Sequence, residues 1–216
     1  MIAARTESAV DEVIAQGAES GVELTGIRAD LSTRAGAHAL ADAVQAAGDA
    51  DILVNSAGIN LRPPMPELDE ATWDATMAVN LDAPFVLGQR LIPGMAARGY
   101  GRIIHISSQQ AHRPFASSGA YGVSKAGLEA LARSQAEAWS SRGVTANVLV
   151  PGFVRTALNE RLSSDPETVR ALAARTLIGR NGVAEDFVGP AVFLASPASG
   201  YITGQAIPVD GGFSVH

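Results

Sequence analysis

Two apolar patterns alternate along the chain. Short runs at Met1–Ala4, Val22–Ala29, Asp51–Asn55, Arg102–Ile106, Val144–Val150 and Ala206–Val209 read as strands, several of them apolar on both faces. Between them lie stretches with helical spacing. Thr6 to Gly17 places Val10, Val13 and Ile14 on one face, and the Ala-rich segment Arg34–Ala47 closes at Gly48. Leu68-Asp69-Glu70 opens a long helix expected to run to Arg98, and another spans Gly119 to about Ser140. Ala157–Arg175 is helical but interrupted at Ser163–Pro166, and Ala184–Ala195 follows. Strands alternating with helices imply a parallel sheet covered on both faces, and right-handed crossovers make it a doubly wound, Rossmann-like α/β fold. One domain is expected over residues 1–216, with no repeat or linker.

In such sheets ligands sit beyond the carboxyl ends of the strands. Polar segments fall there at Asp30, Asn55–Gly58, Ser107-Ser108 and Pro151–Thr156. Any one of these is ordinary turn chemistry; four together point to a site.

Composition narrows the partners. The 216 residues are 47% hydrophobic with net charge −6, which favours a packed domain and makes nucleic acid and anionic membrane poor partners. No apolar run reaches membrane-helix length, and MIAART does not read as a signal peptide. Without cysteine, disulfides and thiolate chemistry are excluded, which fits a cytoplasmic location. The four His are scattered and no metal site is expected. Of 16 basic residues, 15 are Arg, and the single Lys is Lys125. Lysine differs from arginine as a compact charge whose pKa moves readily.

That lysine follows Tyr121 by four positions in a predicted helix, so both share a face one turn apart. A nearby ammonium is expected to lower the phenol pKa towards neutrality and produce a general acid–base. Ser108, at the end of the strand Arg102–Ile106, can donate to a substrate oxygen as charge develops. Asn80 lies inside the long helix, where Asn is unfavourable; it is expected to bend the helix and hold a water.

Tyr121-x-x-x-Lys125 with Ser108, Asn80, Asn55-Ser-Ala-Gly58, Pro151-Gly-Phe-Val-Arg-Thr156 and Gly204-Gln205…Val209-Asp-Gly-Gly212 resembles the short-chain dehydrogenase/reductase family from Met1 to the last residues. The resemblance implies a catalytic tetrad of Asn80, Ser108, Tyr121 and Lys125. Tyr121 would exchange the hydroxyl proton during hydride transfer to or from a nicotinamide. Lys125 would bind its ribose and, with Asn80, feed a proton relay, while Ser108 orients the substrate carbonyl. It also implies Asp30 and Leu31 at the adenine, Asn55, Ala57 and Gly58 on the adenosine ribose side, and Pro151, Gly152, Val154 and Thr156 at the nicotinamide. At the end of the first strand stand Ala4 and Arg5. An arginine there favours a 2′-phosphate, so NADP is expected over NAD.

The chain departs from the pattern in two places. Ser56 stands where the family usually has a second Asn. The family also opens with a strand, a TGxxxGxG loop and a helix, whereas this sequence opens in what resembles the second strand. A lead-in of about 30–40 residues, the size of a βα unit, is therefore expected to be absent, and with it the amides that hold the pyrophosphate. Its strand would be central in the order 3-2-1-4-5-6-7, so a slot in the sheet is expected. Two readings follow: an N-terminally truncated form of an active enzyme, or an idle relative that folds and oligomerises without binding dinucleotide.

Ala57-Gly-Ile-Asn60 followed by Arg62, Ser108-Gln-Gln110 followed by Arg113, and Arg175…Gly179-Arg180 resemble the gluconate 5-dehydrogenase branch. Arg62, His112 and Arg113 fall in loops near Ser108, and a guanidinium can clamp a carboxylate. The substrate is thus expected to be a small alcohol or ketone, first a sugar acid or polyol, touching Ser108, Gln110, Arg62, His112 and Arg113; other ketones stay open. Gln109 also adjoins the pocket, and a lid is expected over residues 157–180. A homotetramer or homodimer is expected, with Leu128, Leu131, Ala132 and Trp139 offering an apolar contact.

Overall fold

The computed structural model describes all 216 residues. The elements run in the order β1 (Ile2–Ala4), α1 (Glu7–Glu19), β2 (Gly26–Arg28), α2 (Arg34–Ala46), β3 (Ile52–Asn55), α3 (Glu70–Met77), α4 (Ala83–Arg98), β4 (Gly101–Ile106), α5 (Gly119–Trp139), β5 (Val144–Pro151), α6 (Glu160–Ser163), α7 (Pro166–Ala174), α8 (Val188–Ala195) and β6 (Ala206–Val209). Thr6, Thr33 and Asp69 cap α1, α2 and α3 by accepting a backbone N–H from the first turn. Asp165 caps α7 with Pro166 in its first turn, which is why the helical segment breaks there.

All strand pairs are parallel. β1 pairs with β2, and β3-β4-β5-β6 form a second ladder. This is the expected strand order, interrupted between β1 and β3. The register sets Asn55 opposite His105 and His105 opposite Val148, so the carboxyl ends of β3, β4 and β5 come level.

Helices cover both faces. Ile103, Val144 and Ala146 pack with Leu91, Ile92 and Met95 of α4 and Ala136 of α5. Ile104 and Leu149, one residue out of phase, pack with Leu194 of α8. Adjacent strand residues face opposite sides, so one apolar run serves two layers. The same core joins the two ladders, since Ala29 lies in it and Ile27 and Leu53 pack against it.

Three expectations need correction. The second strand is shorter than Val22–Ala29, because β1 offers it only three residues to pair with. The helix expected from Leu68 to Arg98 has a π-helical turn, Ala78–Asp82, between α3 and α4. Leu128 and Ala132 are core residues and Trp139 packs on the core, so they do not form a free apolar face. Exposed large apolar side chains lie elsewhere, among them Val188, Val192 and Phe193 of α8, Tyr201, Phe85 and Val123. No helix is long and apolar enough to cross a membrane.

The strands differ in what they carry. Ile103 of β4 is 1% exposed, while Ile52 of β3 is 43% exposed. Ile103→Ala should lower the unfolding free energy by about 3 kcal/mol through lost burial and a residual cavity. Ile52→Thr should cost under about 1 kcal/mol. Urea unfolding midpoints of the two variants check this; equal losses would contradict the exposed position of β3.

Candidate active site

Tyr121 and Lys125 enter from α5, and both are buried. The Lys125 Nζ lies 5.6 Å from the centroid of the Tyr121 ring and donates to the Ile106 carbonyl at 2.8 Å. Ile106 ends β4, so the last strand carbonyl holds the ammonium. Burial pushes the Lys125 pKa down to about 8. Ser108, two residues beyond Ile106, lies close enough to the Tyr121 phenol to act on its pKa.

The electrostatics correct one expectation. Burial raises the phenol pKa, and the partial offsets come from the Ser108 hydroxyl and the Arg62 guanidinium. The ammonium of Lys125 was expected to lower it, but instead it is directed at the Ile106 carbonyl. Tyr121 in this state is a proton-bearing phenol.

Asn80 sits in the π-helical turn, fully buried. Its Nδ2 donates to the Ile59 carbonyl at 3.0 Å and to Ser124 Oγ at 3.0 Å, and its Oδ1 accepts from Ile59 N at 2.8 Å. The side chain that was expected to hold a water is therefore spent on the Ile59 backbone and on α5. A wider turn inside an α-helix is a common device at functional sites, since it breaks the regular carbonyl ladder. Gly58 lies against this group: a Cβ there would stand 3.3 Å from Asn80 Oδ1 and 3.5 Å from Lys125 Nζ. The absent side chain leaves the backbone open beside the ammonium.

A polar row braces the floor. Buried His105 is pushed down to about 4 by desolvation and is neutral at pH 7. Asn55 Nδ2 donates to its Nδ1 at 3.2 Å, and its Nε2 donates to Gln135 Oε1 at 2.8 Å. Asn55 was expected on the ribose side, yet its side-chain amide ties β3 to β4.

The substrate candidates separate. Arg62 is half-buried, its Nη2 donates to the Ala116 carbonyl, and its charge reaches Tyr121. Arg113 instead donates to the Ser214 carbonyl, and His112 Nε2 lies 3.0 Å from Glu129 Oε1. Gln110 follows Ser108, and its Oε1 is buried without a hydrogen-bond partner, as is Asn60 Oδ1. Arg180 is held by Asp186, at 2.6 Å and 2.7 Å. Residues 155–181 form a loop closed at its base, where Gly182 N donates to Phe153 O at 2.9 Å beside the Val154–Gly182 bridge.

Sequence reasoning missed several groups. Arg161 of α6 is near enough to Arg62 to lower its pKa, after burial. Asp210 accepts from Gln109 Nε2, Gly212 N and Ser214 N, each at 2.9 Å. Burial raises the Asp210 carboxyl, but these donors outweigh it and hold the pKa below the ordinary value. At the other end of the site, Arg28 Nε approaches the Arg5 carbonyl at 3.4 Å, and both arginines help to lower the Asp30 pKa after its bonds to Ser32. Ser124 and Glu129 lie at helical spacing from Tyr121 and Lys125, and that spacing was the available signal.

The lowered Lys125 pKa has a thermodynamic sign. Protonating this amine costs more folded than unfolded, so the penalty is complete below pH 8 and vanishes near the ordinary lysine value of 10.5. Stability should therefore gain from this group as pH rises from 8 towards 9.5, and Lys125→Met should lose that gain. Urea midpoints at both pH values in wild type and variant test it; identical pH dependence in the two would refute the assignment.

Comparison with known proteins agrees with this geometry. The family model described as enoyl-(acyl carrier protein) reductase matches residues 1–214. Gluconate 5-dehydrogenase of Gluconobacter oxydans (strain 621H) is 37% identical over 204 residues, 92% of this chain and 80% of that protein. The 2-dehydro-3-deoxy-D-gluconate 5-dehydrogenase of Pseudoalteromonas atlantica is 36% identical over 194 residues, 89% of this chain and 76% of that protein. The crystal structure of a gluconate 5-dehydrogenase from Burkholderia cenocepacia J2315, in complex with NADP and tartrate, matches with a TM-score of 0.93 at 34% identity, covering 100% of this chain and 85% of that one. With the tyrosine–lysine pair, the adjoining serine and the π-turn asparagine in one buried site, the chain belongs to the short-chain dehydrogenase/reductase family of oxidoreductases, in its gluconate 5-dehydrogenase-like branch.

Proposed function

We propose that the chain interconverts a secondary alcohol and a ketone on a sugar acid or related polyol, with NADP(H) as the preferred cofactor. The observation that carries the reading is the buried Tyr121 phenol, with Ser108 near it and the buried Lys125 ammonium beside its ring.

The residues present suit a nicotinamide dinucleotide. Lys125 spends one N–H on Ile106 O, and the backbone at Gly58 is open beside its remaining donors. Those donors suit a ribose diol. Pro151, Gly152, Val154 and Thr156 follow the carboxyl end of β5 and would flank the ring. Asp30, Leu31, Ala57 and the backbone of Asn55 would line the adenosine side. Arg5, joined by Arg28, supplies positive charge for a 2′-phosphate. When bound, the cofactor supplies the hydride acceptor or donor.

The chain's own groups handle the proton. In the reducing direction, Tyr121 Oη gives its proton to the substrate oxygen while Ser108 Oγ donates a hydrogen bond to that oxygen. The raised phenol pKa keeps that proton in place at neutral pH. Ser108 and the Arg62 guanidinium favour the phenolate that remains, and Lys125 would pass on the proton that replaces the one given up.

Substrate class follows from the walls. Arg62 brings a guanidinium group towards Tyr121, and Arg161 lies near Arg62; the pair is suited to a carboxylate. Tartrate, a hydroxy acid, accompanies NADP in the Burkholderia cenocepacia structure. Residues 157–180 act as the lid, tied at the Phe153–Gly182 base. The exposed apolar residues of α8 and Tyr201, with Phe85 and Val123, support a homotetramer or homodimer.

Tyr121→Phe should lower kcat by about 10²–10⁴-fold with sugar-acid substrates while NADPH binding, followed by nicotinamide fluorescence, stays within threefold. The specificity constant should be higher with NADP than with NAD. Unchanged turnover in the phenylalanine variant would end the tetrad reading, and a preference for NAD would end the role given to Arg5 and Arg28.

A further inference from the structure

Ser108 is useful only if its hydroxyl stays on Tyr121, yet it lies in a short turn. That turn, Gln109–Ala111, starts with Ser108 as its cap: Gln110 N donates to Ser108 Oγ at 3.2 Å and Ala111 N to Ser108 O at 2.9 Å. His112 closes it, its N–H reaching Gln109 O at 3.1 Å. Only one of these three bonds touches the hydroxyl, and at 3.2 Å it does not by itself fix that group to within a few tenths of an ångström.

The residues on either side of the turn converge on one atom. Ser107 Oγ donates to Glu129 Oε1 at 2.7 Å, and His112 Nε2 lies 3.0 Å from that same oxygen. Ser107 is 3% exposed and Glu129 4% exposed, whereas the His112 side chain is half-exposed. No Lys or Arg pairs with this carboxylate. Ser107 reaches Glu129 and the Lys125 carbonyl of α5, while the next residue, Ser108, stands near the Tyr121 phenol at the start of the same helix. Glu129 stands one turn beyond Lys125 and two beyond Tyr121 on the same stripe of α5. The Ser107 hydroxyl also lies 3.3 Å from the Lys125 carbonyl, on the helix that carries the chemistry. The turn meets α5 again at Gly122, where a Cβ would stand 2.9 Å from Gln110 O.

A buried carboxyl group whose side-chain partners are one hydroxyl and one half-exposed imidazole is costly to keep for packing alone. We infer that Glu129 is a positioning residue for the oxidoreductase reaction: through Ser107 and His112 it clamps the turn that holds Ser108 against Tyr121. The inference rests on the proposed function for its effect on turnover, but the clamp itself is a property of the chain. It also gives His112 a role away from the substrate. Asp210 holds the outer side of the turn through Gln109, so Glu129 sets the side facing α5.

Two measurements test it. Glu129→Met removes the shared acceptor at similar volume. The Gln110, Ala111 and His112 amides should then exchange with deuterium at least about tenfold faster, since opening of the turn becomes easier. Turnover should fall about 10–100-fold through misplacement of Ser108, with NADPH affinity unchanged. Glu129→Gln, which keeps an oxygen acceptor, should recover most of both. In a Ser108→Ala background the Glu129→Met change should cost less than about threefold, because the group it positions is gone. Equal losses in the two backgrounds overturn the link to Ser108, and unchanged exchange overturns the clamp. Should Glu129→Met fail to fold, His112→Ala cuts one arm at a half-exposed position and must give the same pattern at smaller size. A wild-type chain without turnover would defeat the proposed function, and the exchange measurement would still decide the clamp.

Discussion

The Lys125 ammonium is 3% exposed, at the end of a strand and beneath a helix, where an uncompensated charge would be neutralised or expelled. What keeps it there is a backbone carbonyl, Ile106 O, at 2.8 Å, together with the open backbone at Gly58. Burial lowers its pKa to about 8, still above neutrality. Strand β4 must end where it does, helix α5 must start just after the serine turn, and Gly58 must lack a side chain, for this one group to stay charged.

The neighbouring structure follows from that requirement. Asn80 accepts from the Ile59 N–H and donates to the Ile59 carbonyl, and so fixes the loop that carries Gly58. It reaches the loop because the helix widens into a π-turn at this point. Its bond to Ser124 fastens the same turn to α5 between Tyr121 and Lys125. The neutral His105 bridges Asn55 and Gln135 below, so the floor is polar yet uncharged. A protonated histidine there would oppose the ammonium above; burial prevents it.

Positive charge is distributed for anions at two distances from Tyr121. Arg5 and Arg28 stand at the ends of β1 and β2, on the exposed side. Arg62 stands near the phenol, where partial burial makes its charge more effective than at the surface, and the exposed Arg161 lies close to Arg62. A chain with net charge −6 that gathers guanidinium groups at these places is suited to anionic small molecules, and far less to polyanions.

Much of this was legible in the residues. The alternation of apolar runs and helical spacing specified a parallel sheet with helices on both faces, because strand and helix periods differ and each must bury its face. The four-residue interval between Tyr121 and Lys125 put them on one stripe of a helix, a local fact that tertiary packing does not alter. Long-range electrostatics lay beyond it. The interval promised a lowered phenol pKa, but burial raised it and the ammonium turned to a carbonyl nineteen positions away, a partner visible only once β4 and α5 were packed. Asn80 was recognised as an odd residue for a helix, yet nothing local announces a π-turn or the Ile59 peptide it serves. His112 and Arg113 looked free in a loop near the site; their partners, Glu129 and the Ser214 carbonyl, come from distant segments. Periodicity and spacing, which act over one or two turns of chain, are written in the sequence. Which buried charge meets which acceptor depends on how separated segments come together, and only the tertiary structure decides that.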